Sequence, residues 1–123
     1  MQDIQSEGDI KQLVDEFYRR VRKDDLIGPI FNTVIGDDWS HHLPIMYRFW
    51  SSILLGANTY HGNPLSVHFK LDISAEHFER WLSYFEPTVD DLFEGEVAEE
   101  AKKRARSIAF IMNSKLSMLK KNN

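Results

Sequence analysis

The chain contains no cysteine, and this absence removes several kinds of chemistry. Without cysteine there can be no disulfide framework, no thiolate nucleophile and no cysteine-based zinc or iron–sulfur site. The six glycines are scattered along the sequence and form no glycine-rich phosphate loop. Any chemistry must therefore come from other residue types.

Long apolar runs and an excess of basic residues are also missing. The longest apolar runs, 53–57 and 108–112, are far shorter than the roughly 20 residues needed to span a bilayer. The N-terminus has no basic start followed by an apolar stretch, so no signal peptide is predicted and we expect a cytoplasmic location. Because the formal net charge is −4, we expect no nucleic-acid partner, and no membrane partner is expected either.

The composition is that of a globular protein. The 123 residues are 42% hydrophobic and 28% charged, and the length suits one domain and not two. We expect a single domain over 1–123, with flexible ends at 1–8 and 120–123. No segment alternates between apolar and polar residues for long enough to predict a strand, whereas helical spacing is common. The sequence therefore predicts an all-α class.

The helical spacing of apolar residues predicts four main helices. They are expected over about 9–21, 40–54, 74–87 and 96–120. Asp9 is the expected N-cap of the first helix, and Pro44 is expected near the start of the second, where a proline is tolerated. Ser74 is the expected N-cap of the third helix, which we expect Pro87 to end. The segments 26–31, 36–38 and 88–95 are expected to be loops or short turns.

Aromatic residues are the most informative part of the composition. The 3 Trp, 4 Tyr and 8 Phe could pack a small core or form the wall of a pocket for a flat apolar ligand. Tyr18, His42 and Trp81 place polar groups on apolar helix faces, and a buried donor without a partner costs roughly 1–3 kcal/mol. Backbone carbonyls and water could satisfy these groups, or the three could converge on a small polar ligand. The residues alone leave both possibilities open.

His68 lies in a short apolar segment that Pro64 can begin, just before an aromatic helix. A neutral imidazole there could bind one face of an iron porphyrin, although a lone histidine is more often an ordinary surface or core residue. Any haem would be held non-covalently, because the C-x-x-C-H attachment motif is absent. No H-E-x-x-H or paired E-x-x-H motif indicates a zinc or di-iron site.

Short motifs along nearly the whole chain occur in a distinctive order and spacing. They are Phe17-Tyr18, His42-Leu43-Pro44, Met46-Tyr47, Phe49-Trp50, Leu54-Leu55-Gly56, Tyr60, Gly62-Asn63-Pro64, His68, Phe78 and Arg80-Trp81-Leu82. This series, over roughly residues 10–115, resembles the truncated haemoglobins, specifically the bacterial group III type. The resemblance implies a truncated globin-like two-over-two helical sandwich around a non-covalent haem b.

The resemblance also implies a role for each matching residue. His68 resembles the proximal ligand of the haem iron, and Tyr18 resembles the distal tyrosine that donates to bound dioxygen. His42 matches the distal histidine, and Trp81 matches the tryptophan whose indole N–H reaches the same ligand. The remaining contacts to the cofactor would come from Phe17, Met46, Phe49, Trp50 and Phe78.

Two features of the resemblance stay open. Relatives often have a basic residue where this chain has Ile45, so the anchor of the haem propionates is undetermined, with Arg48 as one candidate. His42 could donate to the bound gas, bind the iron itself or swing outward as a gate.

Strong distal hydrogen bonding bears on the expected function. Two charge-assisted bonds to dioxygen would slow its release by on the order of a hundredfold, which does not suit a carrier. We therefore expect oxygen, nitric oxide or peroxide chemistry, such as that of a nitric oxide dioxygenase or a peroxidase, with an unidentified reductase. One alternative is a non-catalytic binder or sensor of dioxygen or other diatomic ligands that acts through a separate partner. Another is an all-α interaction domain with an aromatic core and no haem.

Overall fold

The structure, a computed structural model, describes residues 1–56 and 73–121. Within these residues the chain forms five α-helices and no β-strand, which confirms the all-α prediction. The helices are α1 (Glu7–Val21), α2 (Gly28–Ile35), α3 (Trp39–Leu55), α4 (Ala75–Leu92) and α5 (Glu96–Lys121). None of the helices in these two stretches is long and apolar enough to cross a membrane. Pro64, His68 and the short helix expected around them lie outside the described residues.

The helices pack as two pairs. Helix α1 packs on α3, α4 packs on α5, and the two pairs meet mainly through α1 against α4, with a smaller contact between α3 and α5. Only three residues, 93–95, join α4 to α5, and so short a link makes neighbouring helices antiparallel. The Tyr47 hydroxyl on α3 donates to Asp15 on α1, which ties the first pair together. The arrangement agrees with the expected two-over-two sandwich.

Helix α1 buries the apolar stripe that its sequence predicts. The buried residues are Ile10, Leu13, Val14, Phe17, Tyr18 and Val21. The prediction of Asp9 as N-cap is wrong, because Ser6 is the N-cap and its hydroxyl accepts from the Asp9 backbone N–H at 3.3 Å. The Asp9 carboxylate reaches back to accept the Gln5 backbone N–H at 2.9 Å, so it satisfies a donor just before the helix.

The N-terminal segment, which we expected to be flexible over 1–8, makes defined contacts in the structure. The Asp3 carboxylate accepts the backbone N–H groups of Val97 at 2.9 Å and Ala98 at 2.8 Å. Burial favours the neutral acid, but these N–H donors outweigh it and hold the pKa of Asp3 below its usual value. Ile4 is 1% exposed. Asp3 therefore caps the first turn of α5 from a distant part of the sequence.

Helix α2 occupies part of the chain for which we expected an interruption. Pro29 lies in its first turn, where a missing N–H costs no hydrogen bond. Gly28 is required by close approach, because a Cβ there would lie 2.7 Å from the carbonyl oxygen of Arg22. The glycine and proline that predict a loop in the sequence lie instead in the first turn of a helix.

Two prolines lie inside helices. Pro44 is in the second turn of α3, which begins at Trp39, one residue before the expected start. The prediction that Pro87 ends the third expected helix is wrong, because α4 continues to Leu92 and includes residues expected to form a separate turn. Pro87 and Ser83 are exposed, so water can bind the Ser83 carbonyl that Pro87 leaves without a helix partner.

Helix α5 presents small residues to the core. Ala98, Ala101 and Ala105 belong to the same buried cluster as Phe85 and Val89 of α4. Alanine side chains allow two helix backbones to approach closely, and the alanines follow helical spacing. The expected last helix over about 96–120 is confirmed, with bounds Glu96–Lys121.

One buried carboxylate joins three parts of the fold. The Asp24 side chain is 3% exposed, and one of its oxygens accepts the backbone N–H groups of Leu26 at 2.8 Å and Ile27 at 2.9 Å. Its other oxygen accepts from the Arg80 guanidinium and the Tyr84 hydroxyl of α4, both at 2.7 Å. Although burial opposes ionisation, these four donors hold the pKa of Asp24 well below its usual range. Asp24 thus fixes α4 against the segment that connects α1 to α2.

We expect Asp24→Asn to lower the free energy of unfolding by about 2–4 kcal/mol at pH 7, because an amide cannot accept all four hydrogen bonds. Urea titration followed by circular dichroism measures the change. The folded-state pKa is depressed, so the stabilisation is present above the unfolded value of about 3.9 and is lost as the pH falls towards the folded value. The difference in stability between the wild-type protein and Asp24→Asn should therefore shrink below about pH 4.

Asp25→Asn, at an exposed neighbour, is the control and should change stability by less than about 0.5 kcal/mol. An equal loss in both variants would contradict the prediction.

Candidate ligand-binding cavity

A cavity of about 340 Å³ lies among the helices, and all five contribute to its wall. This volume falls within the range of small-molecule sites, which are mostly apolar with a few placed polar groups. The described residues that line it are Phe17, Tyr18, Ile27, Ile30, Phe31, Val34, Ile35, His42, Ile45, Met46, Phe49, Trp50, Ile73, His77, Phe78, Trp81, Ile108, Ala109 and Met112. The described wall is therefore mostly aromatic and aliphatic, and the lining residues with side-chain nitrogen or oxygen atoms are Tyr18, His42, Trp50, His77 and Trp81.

The structure brings together the site residues that the sequence singled out, apart from His68. Those that line the cavity are Tyr18, His42, Trp81, Phe17, Met46, Phe49, Trp50 and Phe78. His68 lies outside the described residues, and its role as an iron ligand stays a prediction. Within the described part of the chain, no group of three or more His, Asp or Glu side chains could hold a metal ion.

Tyr18 and His42 form the polar end of the cavity wall. The Tyr18 hydroxyl lies 3.4 Å from Nε2 of His42, and the two rings meet edge to face at 5.6 Å. Burial raises the pKa of Tyr18 above its ordinary value, so the phenol keeps its proton at neutral pH. A hydrogen-bond donor is thus available inside an otherwise apolar space.

Trp81 is held in the wall by stacked rings. The Phe85 ring stacks on Trp81 at 5.4 Å and on Trp50 at 4.9 Å between centroids. Phe17 of α1 meets Trp81 edge to face at 5.5 Å and Phe85 at 5.2 Å. Rings from α1, α3 and α4 therefore meet at Phe85, and each contact of this kind contributes about 0.5–1.5 kcal/mol beyond area burial.

His77 was not among the site residues expected from the sequence. It lines the cavity from the first turn of α4, and its Nδ1 accepts the backbone N–H of Ser74 at 3.0 Å. This capping box confirms Ser74 as the N-cap. Because Nδ1 accepts this hydrogen bond, the proton of the neutral ring is on Nε2, and His77 can donate a hydrogen bond from that atom. Histidine in place of the usual Glu or Gln of a capping box is a signal that sequence reasoning could have used.

Helix α2 also supplies wall residues that sequence reasoning missed. They are Ile30, Phe31, Val34 and Ile35, whose spacing is that of one helix face. Ile45 lines the cavity with an apolar side chain. Arg48 is exposed and is not among the described lining residues.

Comparisons with known proteins agree over most of the chain. A family model described as bacterial-like globin matches residues 2–116. The chain is 38% identical over 104 residues to the group 3 truncated haemoglobin Ctb of Campylobacter jejuni subsp. jejuni, covering 81% of this chain and 82% of that protein. It is 32% identical over 71 residues to the group 1 truncated haemoglobin GlbN of Nostoc sp., covering 57% and 58%. A crystal structure of the group III truncated haemoglobin from Campylobacter jejuni matches the fold with a TM-score of 0.87 and 35% identity, covering 94% of this chain and 95% of that one.

Phe85→Leu is expected to lower the free energy of unfolding by about 2 kcal/mol, because it removes the ring against which three others pack. Near-ultraviolet circular dichroism should weaken as well, since Trp50 and Trp81 lose a fixed neighbour. Phe110→Leu is the matched control, because Phe110 is 73% exposed and should change neither quantity appreciably. Equal effects of the two substitutions would show that the ring cluster does not order the wall.

Proposed function

The chain belongs to the bacterial-like globin family, as a truncated haemoglobin, and on that premise we propose that it binds haem b in this cavity and holds dioxygen tightly there. The family binds haem and gases such as oxygen. The observation that carries the finer proposal is that Tyr18, His42 and Trp81, from three different helices, line one apolar cavity. The proposal keeps the cytoplasmic location expected from the sequence.

The wall residues fit a large flat cofactor. Phe49, Trp50, Met46 and Phe78 would offer apolar and aromatic surface to a porphyrin, and Phe17 lines the same cavity. His68 is proposed as the proximal iron ligand, on the resemblance of its motif. When bound, haem supplies an iron atom at which dioxygen, nitric oxide or peroxide can react.

The polar residues act on the gas by donating hydrogen bonds. A diatomic ligand that gains negative charge accepts from the Tyr18 hydroxyl and the Trp81 indole N–H, and each charge-assisted bond contributes roughly 1.5–3 kcal/mol. Because the pKa of Tyr18 is raised, its proton stays in place throughout the neutral range. Apolar neighbours keep water from competing for these donors.

Slow release of dioxygen favours chemistry over transport. A carrier must give up its ligand, whereas an oxygen held for longer has time to meet nitric oxide, and a peroxide would be held by the same donors. The proposed activity is therefore a nitric oxide dioxygenase or a peroxidase-like reaction, with electrons supplied by a separate reductase. Turnover of nitric oxide to nitrate with an added reductant tests this part of the proposal, and tight oxygen binding without turnover would favour a binder or sensor instead.

We expect the purified protein to bind one haemin per chain with a sharp Soret band, and His68→Ala to abolish or alter that band in the ferric, ferrous and carbon monoxide forms. His41→Ala is the matched control, because His41 is exposed and is not among the described lining residues. Absorption titration measures both. A titration without saturation would overturn the haem assignment, and an unchanged band in His68→Ala would remove His68 as the ligand.

Tyr18→Phe and Trp81→Leu are each expected to raise the dissociation rate of dioxygen by about tenfold or more, since each removes one hydrogen bond to the gas. Stopped-flow displacement by carbon monoxide measures the rate. Tyr47→Phe is the control, because the Tyr47 hydroxyl donates to Asp15 and does not face the cavity. Unchanged rates in both cavity variants would show that these donors do not contact the ligand.

A further inference from the structure

Trp39, at the start of α3, contacts Tyr18 and His42 of the cavity wall and is not itself among the described lining residues. Its ring meets the Tyr18 ring edge to face at 5.3 Å and the His42 ring at 5.8 Å. Trp39 is 9% exposed, so this contact is a buried one. One side chain thus supports the donors that come from α1 and α3.

Trp39 is itself held from the outer side. The Arg22 guanidinium lies over its ring at 4.4 Å from the centroid, a cation–π distance. Arg22 Nε donates to the Asn32 side-chain oxygen at 3.2 Å, and the Asn32 amide donates back to the Arg22 carbonyl at 3.3 Å. The Arg22 side chain is therefore fixed between Trp39 and α2.

Among the described residues, ring packing and the Arg22 cation, and no hydrogen bond, hold the Trp39 ring. Its buried indole N–H has no hydrogen-bond partner within the described part of the chain. A buried donor left in this way costs free energy, so the ring position must be set by the surfaces on its two sides. Those surfaces are Arg22 on one side and the pair Tyr18 and His42 on the other.

We infer that Trp39 is a positioning residue, clamped by Arg22, that keeps the Tyr18 hydroxyl and the His42 imidazole directed at each other inside the cavity. His42 follows Trp39 by three positions on the same helix, so the two rings share a face and the indole limits the rotamers open to the imidazole. Tyr18 is limited by the same surface from α1. The positioning itself rests on the ring contacts. Its expected effect on a bound gas rests on the proposed function.

The test uses three variants and two readouts. Trp39→Leu removes the aromatic surface, Trp39→Phe keeps part of it, and Arg22→Gln removes the cation at an exposed position while leaving Trp39 in place. The first readout is magnetisation transfer between the ring protons of Tyr18 and His42 by nuclear magnetic resonance, in the protein without haem. The second is the C–O stretching band of the carbon monoxide complex, which shifts when a donor approaches the ligand.

We expect Trp39→Leu to abolish the transfer between the two rings, to split or broaden the C–O band, and to raise the oxygen dissociation rate roughly tenfold. Trp39→Phe should restore most of each signal, and Arg22→Gln should give an intermediate result. If Trp39→Leu does not fold, Arg22→Gln and Trp39→Phe still decide the matter. His41→Ala should leave both readouts unchanged.

The inference is overturned if folded Trp39→Leu, or Arg22→Gln in its place, keeps the ring transfer and an unaltered C–O band while Tyr18→Phe shifts that band. A lower melting temperature without these changes would assign Trp39 a structural role only. If the protein binds no haem, the proposed function fails, while the ring transfer still tests the positioning by itself.

Discussion

The carboxylate of Asp24 is the constraint on which the cavity depends. It accepts hydrogen bonds from the segment before α2 and from Arg80 and Tyr84 on α4. Arg80 and Tyr84 are four positions apart, and so are Trp81 and Phe85, one position further along the helix. Because residues four apart share a helix face, holding Arg80 and Tyr84 at Asp24 turns Trp81 and Phe85 towards the core and the cavity. A polar contact outside the cavity therefore sets which side chains line it.

The cavity wall divides into a packed part and a polar part. Phe85 contacts rings from α1, α3 and α4, so the side of the wall formed by Trp50 and Trp81 is supported on several sides. The Tyr18 hydroxyl and His42 Nε2 lie 3.4 Å apart, a long distance for a hydrogen bond, and neighbouring rings also hold these two side chains. The position of the polar groups therefore depends on the rings packed against them.

Sequence reasoning succeeded where a pattern is local and repeated. The stripe of α1 from Ile10 to Val21 and the extent of α5 both follow from helical spacing. Eight of the residues named from the motif resemblance line the cavity, while their roles stay predictions. Sequence reasoning failed where a helix boundary depends on a contact with another part of the chain or on whether a residue faces solvent. Pro87 was expected to stop a helix, but it lies on the exposed face of α4. Glycine and proline at the start of α2 predicted a loop. Gly28 is there for a different reason, because a Cβ at this position would clash with the Arg22 carbonyl oxygen.

The contact of Asp3 with the start of α5 has a consequence for how the chain is made. The two hydrogen bonds join residues 94 and 95 positions apart in a chain of 123, so they close one of the longest loops in the fold. During synthesis at about 5–20 residues per second, Asp3 emerges from the ribosome several seconds before its partners in α5. The segment around Asp3 is thus made early and fixed late, and the beginning of α5 has no cap from Asp3 until then.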